Sequence, residues 1–541
     1  MRAPDALTVA LMRHRFEAIA AEMVETLART CFSPILNQSH DFSALITDGA
    51  ARALAQAERV PIHMGAMPYA VEIMAKRFEG QLRPGDMIVA NDPYLGGSHL
   101  PDVTMAQPVF APDGRIAFWS VIRAHQGDIG GMSAGSYSPA AREIWHEGLR
   151  IPPMRLVEGG VLREELIDLF ALNSRRGDDL RGDMMAQMAA VRAGSARLAD
   201  IAAREEPAVL NDCCEALLAS GEAGMQALIE ACKPGVYDGR SWLEDEDGEG
   251  LIPVPVTVTV TIERGEGRGR ITVDLRQAPD QTTNYLNSPL ANSRASVIVA
   301  LLYMIGDSAA LNDGALRPVT ILTRPGSLLD PREPAPVASC TSLAASAIIE
   351  AVLQAMAEAL PERAIAGFAR RFRFTIAGSQ HGEDGEPLPF IWHSFFNRGG
   401  AGANGLADGW PNLGGIHNPG GTPSPSIEVT EQLYPLVVES YRLLPEAGGR
   451  GQHRGGAGGE IRLRYDGAGP ALINATGDGL KVPPYGLAGG EAGSPHDYRI
   501  ERADGNLVRL GPREAGLRLE PGDVLCCRSA GGGGVGTPAL L

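Results

Sequence analysis

Lysine is nearly missing from this 541-residue chain: only Lys76, Lys233 and Lys481 carry the type, and none follows a glycine. The phosphate-cradling loop G-x-x-x-x-G-K-[ST] is therefore absent, so any ATP chemistry belongs to another polypeptide or to an unfamiliar site. Cysteine is scarce and unpatterned. The seven residues at 31, 213, 214, 232, 340, 526 and 527 are odd in number and form no C-x-x-C pair, which argues against a disulfide framework or a zinc ribbon and for buried thiols. Positive charge is also short, with 48 Lys+Arg against 65 Asp+Glu and a formal charge of −17. Nucleic acid and anionic membranes, which are held by clustered Lys and Arg, are thereby disfavoured as partners. No continuous apolar stretch reaches the ~18 residues of a membrane span; the best run, 295 to 305, reads as a buried helix. Around Asp5, Arg13, His14, Arg15 and Glu17 the start of the chain lacks the basic n-region and unbroken apolar run of a secretion signal, so a cytoplasmic location is expected.

What is present is an ordinary globular balance, 44% hydrophobic and 21% charged, in a length that suits about three packed units at ~100–200 residues each. Apolar residues recur at helical spacing over 6–30, after a Pro4-Asp5 start signal. Residues 41 to 54 read as strand, Asp-Gly turn, strand, and Pro61 to Met74 as a helix. Residues 164–231 are mostly helical, broken at Pro207 and closed by Lys233-Pro234-Gly235. Val254, Val256, Val258, Val260 and Ile262 then alternate strictly and predict a hairpin through Gly265 to Gly269 into 271–275. Helices are expected near 291–305 and 342–360, and short strands with glycine turns after Ile427. No internal repeat is visible. The expected class is α+β, a large multi-lobed mixed α/β body with a β-rich C-terminal part. It divides into a mixed region 1–235 carrying the candidate site, a central α/β region 236–427 and a glycine-rich β region 428–541.

The densest polar cluster lies between 91 and 148. Residues 103–110 and 116–123 are apolar and β-prone, and Pro112-Asp113-Gly114 between them is a turn signal, so the two runs should pair antiparallel. That pairing sets Asp102 opposite residues 123–125, and His99, Asp102 and His125 meet at the open end of one hairpin. Two imidazoles and a carboxylate suit a borderline divalent ion such as zinc, manganese or iron, with coordination positions left open as in catalytic sites. Asp128 and Asp92 add carboxylates that are candidates for further ligands, orienting groups or general bases. His63 is expected to be a helix-start hydrogen bonder. Gly400 to Gly405 matches a dinucleotide expression without its strand-to-helix context. Cys340-Thr341-Ser342 has no histidine near it in sequence and reads as a packed loop.

Seven stretches in order carry a resemblance: DFSALITD (41–48), AQAERVPIHMGAMP (55–68), GDMIVANDPYLGGSHLPDVT (85–104), RAHQGDIGGMSAGS (123–136), EIWHEGLRIPP (143–153), LNDGALRPVTILTRPGSLLDP (311–331) and GGRGQHRGGAGG (448–459). With them the chain resembles the hydantoinase B/oxoprolinase family, over nearly its whole length. The resemblance implies a metal-bearing subunit that completes a reaction begun by an ATP-using hydantoinase A-type subunit, with metal ligands at Asp41, His99, Asp102 and His125. It implies a hetero-oligomer acting on a cyclic amide, in which the partner phosphorylates the lactam or imide oxygen and a metal-activated water attacks while Asp128 or Asp92 accepts its proton. The rival readings are a subunit of an acetone- or acetophenone-type carboxylase acting on a ketone, and a non-catalytic scaffold for the A-type subunit. Family members continue past the GGGGxG stretch in a charged helical tail. Here Leu541 follows five residues after Gly536, so the resemblance does not carry over assembly contacts through such a tail, and the CTSLAAS segment around Cys340 departs from the family form.

Overall fold

Asp5 accepts a 2.8 Å hydrogen bond from the Thr8 amide and so caps α1 (Ala6–Thr30), whose stripe Met12, Phe16, Ile19, Met23 and Leu27 is buried at helical spacing. The computed structural model describes residues 5–247, 250–265, 268–306, 312–382, 385–420 and 423–539. The middle of the turn read at 265–269, Leu311 at the head of one motif and Leu541 lie outside the described residues.

After the short α2 (Pro34–Asn37) come β1 (Phe42–Asp48) and β2 (Ala53–Glu58), then α3 (Ile62–Arg77), β3 (Met87–Ala90), β4 (Asp102–Phe110), β5 (Ile116–His125), β6 (Met154–Glu158) and β7 (Val161–Leu162). They form one seven-stranded sheet in the order β2-β1-β5-β4-β3-β6-β7. The β4–β5 turn closes as its residue types predict: the Ala111 amide donates to the Arg115 carbonyl, Asp113 accepts from the Arg115 amide, and Gly114 takes φ +83°. Alternation divides the sheet's side chains between two cores. Ala44, Ile46, Val103, Met105, Ile122 and Ala124 face α1 and the long helix over Gly177–Arg204, whereas Leu45, Ala106, Trp119 and Val121 face α3.

The helical stretch is α4 (Glu164–Leu172), α5 (Gly177–Arg204) and α6 (Pro207–Ala231), with Pro207 opening α6. A second sheet, β11-β10-β9-β8, follows from β8 (Gly235–Asp247), β9 (Gly250–Glu263), β10 (Arg270–Asp274) and β11 (Val319–Leu322). It shares a core with α7 (Leu290–Ile305) and α8 (Ala345–Ala359). A π-turn, Cys340–Ala344, leads into α8. Together, Cys340–Ala359 make a helical stretch long and apolar enough to cross a membrane, longer than the 295–305 run, but 83% of its apolar window is buried inside the protein.

The C-terminal part contains β12 (Phe372–His381), β13 (Pro387–His393), α9 (Ile427–Leu433), β14 (Leu436–Leu444), β15 (Gly458–Tyr465), β16 (Ala471–Gly477), β17 (Asp497–Glu501), β18 (Leu507–Arg509), β19 (Arg513–Leu519) and β20 (Val524–Arg528). Two sheets result, β13-β12-β16-β19 and β14-β15-β20-β17-β18, joined by an aromatic core that includes Phe372, Phe374, Trp392, Tyr465 and Tyr498. Residues from Ile427 begin as the helix α9, where strands were expected, because Ser426 caps it by accepting from the Val429 amide. β12 pairs with β16, so one sheet draws strands from both sides of position 427. The class is α+β, as the sequence predicts. Gly400 to Gly405 binds no strand-to-helix turn; it runs among other glycine-rich segments, with the Gly400 amide bonded to the Ala530 carbonyl and the Ala403 amide to Gly533.

Candidate functional site

β4 begins at Asp102 and β5 ends at His125, and the two residues are direct cross-strand partners. His99 sits three residues upstream, held where the Asp102 amide bonds the His99 carbonyl. One ligand atom from each of His99, Asp102 and His125 falls within 4.8 Å of the others, and all three residues are buried. Asp41 joins them through an edge that hairpin reasoning does not see. β5's other neighbour is β1, Phe42 pairs with Ala124, and the His125 amide donates to the Asp41 carbonyl at 3.0 Å. Asp41 lines the same cavity as the three but is not part of their cluster.

The donor set fits a divalent ion. Both ring nitrogens of His125 and Oδ1 of Asp102 are buried without a hydrogen-bond partner, a costly condition unless something is bound there. His99 Nε2 lies 3.1 Å from Asp102 Oδ1, yet that oxygen has no properly directed hydrogen bond. His99 Nδ1 donates to the Ala338 carbonyl at 2.9 Å; a carbonyl only accepts, so the proton is on Nδ1 and the Nε2 lone pair points to the cluster. The Ala338 amide in turn donates to Glu147. Asp102 Oδ2 accepts from Ser98 Oγ, and beneath it the buried Arg123 donates to Thr104 at 2.8 Å and to Ser98 at 3.4 Å.

Burial and the neighbouring His99 hold the His125 imidazole far below its usual range, which keeps it neutral and able to donate a lone pair. Burial pulls His99 down as well, but the charge and hydrogen bonding of Asp102 together with the Ala338 carbonyl outweigh it and the net direction is upward. Asp102 is itself driven well below the carboxylate range, burial being outweighed by His99 and His63. Burial raises the Asp41 carboxyl against the opposing pull of His63.

Asp128 and Asp92 stand apart from this cavity. Asp128 accepts from the Gly130, Gly135 and Arg175 amides and from the Arg175 guanidinium; its four acceptor directions hold a loop. Asp92 caps the turn at Tyr94 and pairs with Arg150 at 2.8 Å. Neither carboxylate is among the residues that line the cavity of the triad, where a base was expected.

Sequence reasoning missed several residues of the cavity. His63, at the start of α3, lies 3.7 Å from Asp102 through Nε2. Arg371, Arg373 and Arg398 line the same cavity, as does His417. The alternation Arg371-Phe372-Arg373-Phe374 is a legible signal: the phenylalanines enter the C-terminal core and the arginines the other face. Thr341 and Ser342 also line the cavity, brought there by the π-turn, while Cys340 is buried and its thiol pushed well above its usual range by burial and then by Asp102, which leaves it no thiolate character.

The Hydantoinase B/oxoprolinase family model matches residues 5–538. The chain is 32% identical to caprolactamase subunit beta of Pseudomonas jessenii, over 99% of this chain and 92% of that protein. The crystal structure of ATP-dependent caprolactamase from the same organism superposes with a TM-score of 0.89 at 31% identity, covering 99% of this chain and 92% of that one. 5-oxoprolinase of Saccharomyces cerevisiae is 27% identical over 98% of this chain, which spans 42% of that longer protein. A nucleotide-free acetone carboxylase structure has the same fold, with a TM-score of 0.89 at 19% identity over 99% of this chain and 76% of that one.

Proposed function

The chain belongs to the hydantoinase B/oxoprolinase family, and from that premise we propose that it is the metal-bearing B-type subunit of an ATP-dependent cyclic amidase that opens a lactam or imide ring. The single observation that carries the reading is the buried triad His99, Asp102 and His125 with its partnerless polar atoms. An A-type partner that supplies the ATP step fits the lack of a phosphate loop here, the word subunit in the caprolactamase relative's name, and the longer single chain of 5-oxoprolinase. An acidic chain whose seven cysteines form no disulfide suits the cytoplasm.

An amide carbonyl is a poor electrophile, and phosphorylation of its oxygen by the partner weakens its resonance. A zinc, manganese or iron ion held by His99, Asp102 and His125 would supply Lewis acidity at the reacting centre. The protein's own residues do the rest. Asp41, raised by burial and lining the same cavity, takes the proton of the attacking water and passes it to the ring nitrogen as the C–N bond breaks. The resulting acyl phosphate is hydrolysed by a second water to carboxylate and phosphate. Thr341 and Ser342 offer hydroxyls that orient the ring.

The test is metal analysis of the purified chain together with ring-opening by the reconstituted pair on a panel of lactams and hydantoins. His125→Ala is expected to lose stoichiometric metal and all turnover while keeping its melting transition. An equally active, metal-free variant defeats the proposal, and ATP consumption that depends on bicarbonate assigns the chain to carboxylation instead.

A further inference from the structure

Buried arginines are normally paired, and Arg370 shows what that looks like here. It lies 2.6 Å from Glu350 and 3.3 Å from Asp478, so its charge is neutralised where it sits. Its neighbours Arg371 and Arg373, with Arg398, are just as buried, yet among the described residues no carboxylate comes within ion-pair distance of any of the three. Arg371 donates to the Ser394 carbonyl at 3.1 Å and stacks over Phe395. Arg373 donates to the Tyr137 hydroxyl at 2.5 Å, with its guanidinium carbon 3.4 Å from the centre of that ring. Arg398 donates to the Phe395 and Pro423 carbonyls. Neutral oxygens and ring faces fix these side chains in place without cancelling their charge, and a guanidinium has five N–H groups, so donors remain.

Their placement is specific. All three line the cavity of the triad, and the charge of Arg373 opposes protonation of both His99, which is raised on balance, and His125, which is lowered. Burial and then Arg373 lower Arg371 to about 10, and burial and then Arg371 lower Arg398 to about 9; both stay protonated at neutral pH. His417 beside them is lowered to about 3 by burial and the same arginines, so it adds no charge. The negative groups of the cavity are Asp41 and Asp102, fewer than the guanidinium charges even before an ion is counted. An unbalanced, preorganised cluster of planar donors in one cavity is a receptor for a multiply charged oxyanion.

We infer that Arg371, Arg373 and Arg398 grip the phosphoryl group of the activated substrate and hold it in the cavity of the metal-binding triad. The identity of the substrate rests on the proposed function; the receptor rests on the geometry alone. Gripped in this way, the phosphorylated carbon is presented to the triad, and these arginines make unphosphorylated rings poor occupants.

The experiment is calorimetric titration of the full chain with inorganic phosphate and, separately, acetate, with metal content measured on the same samples. Saturable binding of one phosphate per chain is expected, with acetate much weaker. Arg371→Gln and Arg373→Gln should each weaken phosphate by about tenfold or more without altering metal content. Arg398→Lys, which keeps the charge and loses the planar fork, should also bind more weakly and serves if a Gln variant does not fold. No saturable phosphate binding, binding indifferent to these substitutions, or acetate bound as tightly as phosphate overturns the inference. A metal-bearing chain that ignores phosphate sinks the receptor alone; arginine-dependent phosphate binding in a chain that takes up no metal sinks the metal reading alone.

Discussion

Asp128 shows why residue type and spacing do not by themselves assign a role. It lies three positions after His125, where a base is chemically reasonable, but Gly130, Gly135 and Arg175 all donate to it. Asp128→Asn leaves one acceptor oxygen for these donors. It is expected to cost about 1–3 kcal/mol of stability by urea unfolding while metal content stays at the level of the unaltered chain; loss of turnover with unchanged stability would restore the base role. His99, Asp102 and His125 were legible because a hairpin has one register and its turn residues announce it. His63 and Arg398 were not, because each reaches the cavity from an element far away in sequence, and a single chain carries no record of which elements abut.

Elements defined by their own periodicity follow the sequence closely: α1, the β4–β5 hairpin, the helices from Glu164 to Ala231 and the β9–β10 pair all form where side-chain spacing and turn residues place them. The glycine-rich segments are different, since their pattern gives no period. In the folded chain they lie against one another backbone to backbone: a Cβ on Gly532 would sit 1.8 Å from the Ala401 carbonyl oxygen, whereas one on Gly405 meets nothing within 4 Å. Gly532→Ala is therefore expected to lower stability by more than about 3 kcal/mol and Gly405→Ala to leave it within about 0.5 kcal/mol, measured by thermal or urea unfolding. Equal losses at the two positions would show that the segments do not pack as closely as described.

Across the whole molecule, buried carboxyls make stability depend on pH. Burial raises Glu147 to about 7, against the Val337 and Ala338 amides, and Asp478 to about 7, against Arg370. Each binds its proton more tightly folded than unfolded, so its contribution is complete below the ordinary carboxylate range and is lost as pH rises through about 7. The chain should melt at a higher temperature at pH 6 than at pH 8, and Glu147→Gln, which keeps an acceptor for the Ala338 amide, should flatten that slope; an unchanged slope removes Glu147 from the account. The amino-acid sequence by itself determined the α+β class, the local elements and the triad, because spacing along a helix or across one turn is a short-range property of the backbone. Only the tertiary structure decided that β1 brings Asp41 beside His125, that Asp92 and Asp128 are consumed by loops, and that three arginines without a carboxylate partner line the cavity of the triad. Those facts depend on which surfaces bury each other, and burial is settled between distant segments, where apolar area and unpaired charge are balanced over the whole chain.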